Sequence, residues 1–155
     1  VMTYDQHWRT SPVAGSVAEL PWTEKGITDI IEYDHVPPEK IVLGAPLYTY
    51  QWFEEYDAAS GSTKVTSKTL FMDDVAEIIR AKGLKPVFLE DVGQYYVEYE
   101  EGGKKVKIWI EDAESIRRRA ELVGKLGLAG IATWRRGFET PDIWQVIKET
   151  LEKRP

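Results

Sequence analysis

Three groups of residues in this 155-residue chain have types and spacing suited to chemistry. They are Tyr4 with Asp5; Tyr48, Tyr50 and Trp52; and Trp134 with Arg135 and Arg136. Each group closes a short apolar run: Val1–Tyr4 (VMTY), Ile41–Tyr48 (IVLGAPLY) and Gly130–Trp134 (GIATW). Runs this short and this apolar read as strands buried on both faces, as in a parallel sheet covered by helices. Parallel strands bring all three groups to one rim. One carboxylate, several phenol hydroxyls and an indole plate suit a neutral, ring-shaped, hydroxyl-rich ligand. A sugar fits: its apolar face stacks on an aromatic ring while its hydroxyls reach Asp and Tyr. Phosphate fits less well, because no Gly-rich cradle follows a strand. Each residue alone has a plainer reading, since an Asp at a strand end often caps a loop and a Trp often fills a core.

The elements that must position these groups follow from the pattern. Leu20–Tyr33 reads as a helix, with Ile27, Ile30 and Ile31 on one stripe, and Pro37–Pro38 stops it. Strand, helix and strand then form a right-handed βαβ unit. The return from Tyr48 to Gly130 takes about 80 residues, far beyond the dozen a crossover needs, so part of it is an insertion. Met72, Val75, Ala76 and Ile79 mark a helix over Leu70–Lys82, and Lys85–Glu90 reads as a strand. Tyr95–Ile110 reads as a hairpin turning at Gly102–Gly103. That register sets Glu101 against Lys104, Glu100 against Lys105 and Glu98 against Lys107, every pair opposite in charge. It also sets Tyr99 against Val106, Val97 against Ile108 and Tyr96 against Trp109.

Asp112 is placed to cap a helix over Ala113–Lys125, with Ile116, Ala120 and Val123 inward and Gly127 ending it. Arg117–Arg119 reads as its solvated face, with Glu114–Arg118 and Glu121–Lys125 as i, i+4 pairs. Thr140–Pro141 reads as an N-cap and first helical residue, with Ile143, Ile147 and Leu151 inward behind it.

Composition bounds the function classes. The chain is 43% apolar and 30% charged, in the globular range, and its formal net charge of -6 disfavours a nucleic-acid or anionic-membrane partner. There is no Cys, and His7 and His35 are the two histidines, so neither a disulfide framework nor a histidine metal motif can be built. No span of about 20 apolar residues exists to cross a membrane. The chain begins inside an apolar run, from which we expect a segment upstream to have been removed, so targeting cannot be read. Three strands cannot close a barrel, which takes about eight. The chain therefore reads as part of a larger domain.

At the rim residues the sequence resembles glycoside hydrolase family 18. Met2, Tyr4 and Asp5, with Ser11–Pro12–Val13–Ala14–Gly15 and Leu20–Pro21–Trp22, resemble the sixth strand of that family's barrel and the loop after it. Val36–Tyr48 (VPPEKIVLGAPLY) resembles the seventh strand and its lead-in. Ile108–Ser115 (IWIEDAES) resembles the close of the insertion after it, and Leu128–Trp134 (LAGIATW) the eighth strand. The branch is that of bacterial spore-cortex lytic and spore-germination enzymes, which cut peptidoglycan.

The resemblance implies an α/β fold: part of a TIM (β/α)8 barrel, strands six to eight with their helices, and an α+β insertion after the seventh strand. Residues 1–49 would carry strands six and seven with helix six, 50–110 the insertion, and 111–155 helix seven, strand eight and helix eight. It implies substrate-assisted, retaining hydrolysis, which departs from the usual pair of enzyme carboxylates. The substrate's N-acetyl carbonyl attacks its own anomeric carbon, and no cofactor or metal is needed. Tyr4 would hydrogen-bond the N-acetyl group and Asp5 would bind sugar and set the charge state of the acid. Trp134 would stack under the ring, Met2 would line the floor, and Tyr48, Tyr50 and Trp52 would flank it. The implied partner is an N-acetylated glycan, peptidoglycan or chitin, and the implied place is extracellular, in the cell wall or with the spore of a bacterium.

The chain departs from the family at three points. The family's proton donor lies in an Asp-x-x-Asp-x-Asp-x-Glu motif on the fourth strand, and no such motif occurs here. Thr49–Gln51 replaces a Gly-Tyr-Asp pattern, and Arg135–Arg136–Gly137 replaces an apolar-Gly pattern. The expectation is a C-terminal fragment without appreciable glycosidase activity. A noncatalytic carbohydrate-binding relative and an unrelated α/β assembly module stand as alternatives. Open strand edges would be met by the missing N-terminal half of the barrel or by self-association.

Overall fold

The computed structural model describes residues 1–153. Two sheets organise it. The smaller is parallel and pairs β1 (Val42–Pro46) with β7 (Gly130–Trp134), Val42 opposite Gly130 and Pro46 opposite Trp134. On the other side of β1 lies the N-terminal segment. The sequence suggests a full strand over Val1–Asp5, but the structure forms only a parallel bridge, Met2 to Gly44. The Gly44 N–H donates to the Val1 carbonyl and the Thr3 N–H to that of Gly44. Gly44 permits this approach, since a Cβ there would stand 2.8 Å from the Val1 carbonyl oxygen. The C-terminal ends of all three segments therefore lie at the same end.

One face of this small sheet is covered. Helices α1 (Leu20–Glu32), α3 (Ala113–Lys125) and α4 (Ile143–Glu152) present apolar stripes to it. Ile27, Leu43, Ala45, Leu47, Ile116, Val123, Ile143 and Ile147 make the core between them. The opposite face is bare: Met2, Val42, Ala132 and Trp134 all remain exposed.

The larger sheet is antiparallel, with spatial order β3-β2-β6-β5-β4. Its strands are β2 (Tyr48–Asp57), β3 (Ser62–Phe71), β4 (Val87–Leu89), β5 (Gln94–Glu101) and β6 (Lys104–Ile110). Helix α2 (Met72–Lys82) packs on it through Val75, Ile78 and Ile79, against Leu70, Val97, Ile108 and Ile110. The β5–β6 pairing has the register read from the charges, Glu101 to Lys104 through Tyr96 to Trp109. The β2–β3 hairpin, absent from the sequence reading, adds ten aligned residue pairs from Tyr48–Phe71 to Asp57–Ser62.

Three details correct the sequence reading. Asp112 does cap α3, its carboxylate accepting from the Ser115 N–H at 3.0 Å. Arg119 is not on the solvated face, however: its side chain is 1% exposed and pairs with Glu111, itself fully buried. Glu121 pairs with Arg117 instead of Lys125, and Lys125 reaches Glu24 on α1 at 2.5 Å. At the last helix Thr140 does not cap. Its hydroxyl faces the Met72 sulfur at 3.8 Å, and the helix begins at Ile143 after a turn closed by Ile143 N–H to Thr140 carbonyl.

Candidate glycan-binding site

Tyr4 and Asp5 leave the small sheet where the chain turns away from β1. Asp5 makes that turn in the left-handed region, at φ 60°, which Asp tolerates better than most residues. The following loop is pinned at once by Gln6 N–H to the Val17 carbonyl and His7 N–H to that of Ser16. The His7 ring bonds the Ser16 carbonyl at 2.9 Å and lies against Gly15, where any Cβ would overlap it at 2.3 Å. That contact accounts for both the glycine and the histidine of this loop.

Asp5 is a shared acceptor. Its Oδ1 takes the Tyr48 hydroxyl at 2.6 Å and the Tyr50 hydroxyl at 3.0 Å. Both phenols ionise with difficulty, chiefly because they are buried and then because Asp5 is close. Tyr50 is pushed up to about 12 and Tyr48 beyond it. They remain neutral donors at any physiological pH. Strand alternation on β2 puts Tyr48, Tyr50 and Trp52 on one face. Their rings, with Tyr4, form a ladder of edge contacts at 6.4, 5.6 and 5.5 Å. The ladder ends in the core, where Trp52 is fully buried and its indole N–H donates to the Gly15 carbonyl at 2.8 Å. Trp52 therefore fixes the Asp5 loop to the larger sheet, and its ring faces no open space. Tyr48 and Tyr50 are also buried and act on the rim through their hydroxyls.

The remaining candidates meet elsewhere on the same rim. Met2, Tyr4 and Trp134 line one open cavity of about 280 Å³ on the bare face of the small sheet, over Val42, Gly44 and Ala132. Trp134 is 54% exposed and Met2 75%, so both offer apolar surface to a ligand. Nothing lining this cavity is ionisable except Tyr4 and the amino terminus. The arrangement supplies an indole face, phenol donors and one carboxylate acceptor. It can hold a sugar, but it lacks the second carboxyl group needed to protonate a leaving oxygen.

A residue pair missed at the sequence level holds the loop from behind. Arg119 donates to both Glu111 oxygens, at 2.7 and 2.9 Å, and to the Ala18 carbonyl. Gln94 donates to Glu111 at 2.8 Å and accepts from Ser16, and Ser115 donates to Glu111 at 2.7 Å. Burial raises the Glu111 carboxyl to about 7 against the opposing pull of Arg119 and Ser115. This hub ties α3, the larger sheet and the Ser16–Ala18 end of the Asp5 loop together. Its one sequence signal is the spacing of Arg119 with Ile116 and Val123, on the inward stripe of α3.

The family model for "Glycosyl hydrolases family 18" matches residues 1–139, nearly the whole chain. The chain belongs to glycosyl hydrolase family 18. It is 24% identical over 155 residues to a cortical fragment-lytic enzyme of Bacillus anthracis, spanning 97% of this chain and 34% of that protein. Its fold is similar to that of a chitinase from Chromobacterium violaceum, at a TM-score of 0.84, 26% identity, 99% of this chain and 45% of the other. It is also similar to a family 18 chitinase of Cycas revoluta solved with (GlcNAc)4, at a TM-score of 0.74, 22% identity, 99% of this chain and 46% of the other. The chain thus spans about a third of the length of the curated relatives it matches. Its α/β architecture is similar to that of these chitinase structures.

Proposed function

We propose that this chain carries strands six to eight of a (β/α)8 barrel, and one side of a cleft for N-acetylglucosamine-containing glycans. In this reading residues 1–49 hold strands six and seven with helix six. Residues 50–110 are the inserted subdomain, and 111–155 hold helix seven, strand eight and helix eight, with 154–155 outside the described residues. The bare apolar face over Val42, Gly44 and Ala132 is the barrel interior, and the outer edges of the small sheet are where further strands pair. Those strands come from the rest of the barrel, or in their absence from another copy of the chain.

The observation that carries the reading is the meeting of Met2, Tyr4 and Trp134 in one cavity beside a carboxylate held by Tyr48 and Tyr50. Trp134 stacks under the sugar ring and Met2 lines the floor. Tyr4 donates to the N-acetyl oxygen as that oxygen attacks the anomeric carbon, and Asp5 accepts from the sugar. Tyr48 and Tyr50 keep Asp5 in place, and Trp52 serves the site through the core. The acid that protonates the leaving oxygen lies outside this chain. A general acid contributes about 10²–10⁴-fold, so the chain alone does not turn over. A substrate in the bacterial cell wall or spore is supported by the likeness to cortical fragment-lytic enzymes of Bacillus. No helix among the described residues is long and apolar enough to cross a membrane.

The test is glycan hydrolysis by the chain alone and by the chain fused to the part of a cortical fragment-lytic relative outside the matched third. The fusion should cleave and the chain alone should not. Turnover by the chain alone would overturn the assignment of the acid. Undiminished turnover by a Tyr4→Phe fusion would overturn the role given to Tyr4.

A further inference from the structure

A second cavity, of about 370 Å³, lies where the inserted subdomain meets the head of α3, and it shares no lining residue with the cavity of Met2, Tyr4 and Trp134. Its long wall is one stripe of α2: Met72, Val75, Ala76 and Ile79 fall at i, i+3, i+4 and i+7. Tyr95 and Ile110 face that stripe from the larger sheet. Val75 and Ile79 also pack on the sheet, whereas Ala76 is exposed and offers only a methyl to the cavity. A small side chain among larger ones on the same stripe leaves the gap open. A concave, mostly apolar space of this size with a few polar groups along one wall has the build of a small-molecule site.

Those polar groups are Glu111, Asp112 and Thr140, with no lysine or arginine among the residues lining the cavity. Glu111 is already served by Arg119, Ser115 and Gln94. Asp112 makes no ion pair among the described residues. One of its oxygens accepts from the Ser115 N–H at 3.0 Å, and burial holds its carboxyl above the usual carboxylate range. The next acid, Glu114, is taken by Arg117 and Arg118. The cavity thus sets one carboxylate without a counter-ion beside an apolar wall, and beside the Thr140 hydroxyl, which can accept a second hydrogen bond.

We infer that this cavity binds a small ammonium compound with an apolar body, its cation on Asp112 and Thr140 and its body along α2. An ammonium group supplies the missing counter-charge and donates charge-assisted hydrogen bonds. A carboxylate or phosphate would meet two acids and no cation there. The site stands apart from the glycan-binding rim and does not rest on that reading.

The experiment is a titration of the full chain with phenethylamine, phenethyl alcohol and hydrocinnamate, which share a body and differ in the charge of the head. Methyl resonances of Val75, Ile79 and Ile110 should shift saturably with the amine. The alcohol should bind about tenfold more weakly, and the anion not at all. Asp112→Asn keeps a good cap on α3, so the fold survives, and the amine should fall to the affinity of the alcohol. Ala76→Phe, at an exposed position, should fill the cavity and block both. Equal affinity for amine and alcohol, no saturable shift at these methyls, or amine binding unchanged in either variant would overturn the inference. Displacement of the amine by an N-acetylglucosamine tetrasaccharide would overturn it too, by placing the amine on the rim.

Discussion

Arg119→Met isolates the buried hub behind the Asp5 loop. Methionine fills most of the stem volume but removes the donors to both Glu111 oxygens and to the Ala18 carbonyl. Glu111 keeps Ser115 and Gln94, which are neutral. Breaking a buried pair from one side costs about 3–5 kcal/mol, because the remaining charge stays buried without a counter-ion. For a chain of this length that lowers the thermal midpoint by about 10–15 °C.

The penalty must also depend on pH. Burial raises Glu111 from 4.5 in the unfolded chain to about 7 in the native one. The native state therefore binds more protons between those values, and this group's contribution to stability falls as pH rises through that window. Without Arg119 the native carboxyl rises further, so the window extends to higher pH. Denaturant melts should show a penalty of about 1–2 kcal/mol at pH 5, where the carboxyl can stay protonated, growing to about 3–5 kcal/mol at pH 8. Pairing the change with Glu111→Leu should restore most of the stability, since Ser115 and Gln94 keep the Asp112 and Ile110 carbonyls as partners. A single variant as stable as the unaltered chain at pH 8, or a penalty that does not grow with pH, would refute this account of the hub.

Trp52→Ala should cost about 3–5 kcal/mol in denaturant melts, as expected for emptying a fully buried aromatic site, and should loosen the Gly15 loop. Gly15→Ala should cost about 1–3 kcal/mol, because the added methyl meets the His7 ring; pairing it with His7→Ala should recover part of the loss. Tyr50 sits at about 12 against an ordinary 10.0, so its contribution to stability is complete below pH 10 and is lost as pH rises to about 12. Phenolate absorbance should follow that course, and Asp5→Asn should shift the Tyr50 midpoint downward.

Much of the frame was legible because local and global signals agreed. The β5–β6 register could be read from three opposite-charge pairs around Gly102–Gly103, since a one-residue slip would have inverted every face. The β2–β3 hairpin is not legible in the sequence. Tyr48, Tyr50 and Trp52 do alternate as a strand should, but they follow an apolar run and read as its tip. Their partner β3 lies at the sheet edge and is mostly polar, so it gave little period-2 signal. The burial of Arg119 is hidden in the sequence because three consecutive arginines suggest a wet surface. Helical rotation turns the third one inward, and its partner Glu111 sits eight residues away on the far side of the cap. At the rim, Asp5 and Trp134 could be named from strand ends. That Tyr48 and Tyr50 serve Asp5 through their hydroxyls, and that Trp52 lies in the core, depends on strand pairings between distant segments.

Glycan binding by Trp134→Ala tests the central claim most directly. The N-acetylglucosamine tetrasaccharide should bind the unaltered chain saturably and the variant about tenfold or more weakly, with the thermal midpoint of the variant unchanged because the side chain is half exposed. Equal affinity in the two proteins, or a variant that loses stability instead of binding, would contradict the assignment of this rim to a sugar.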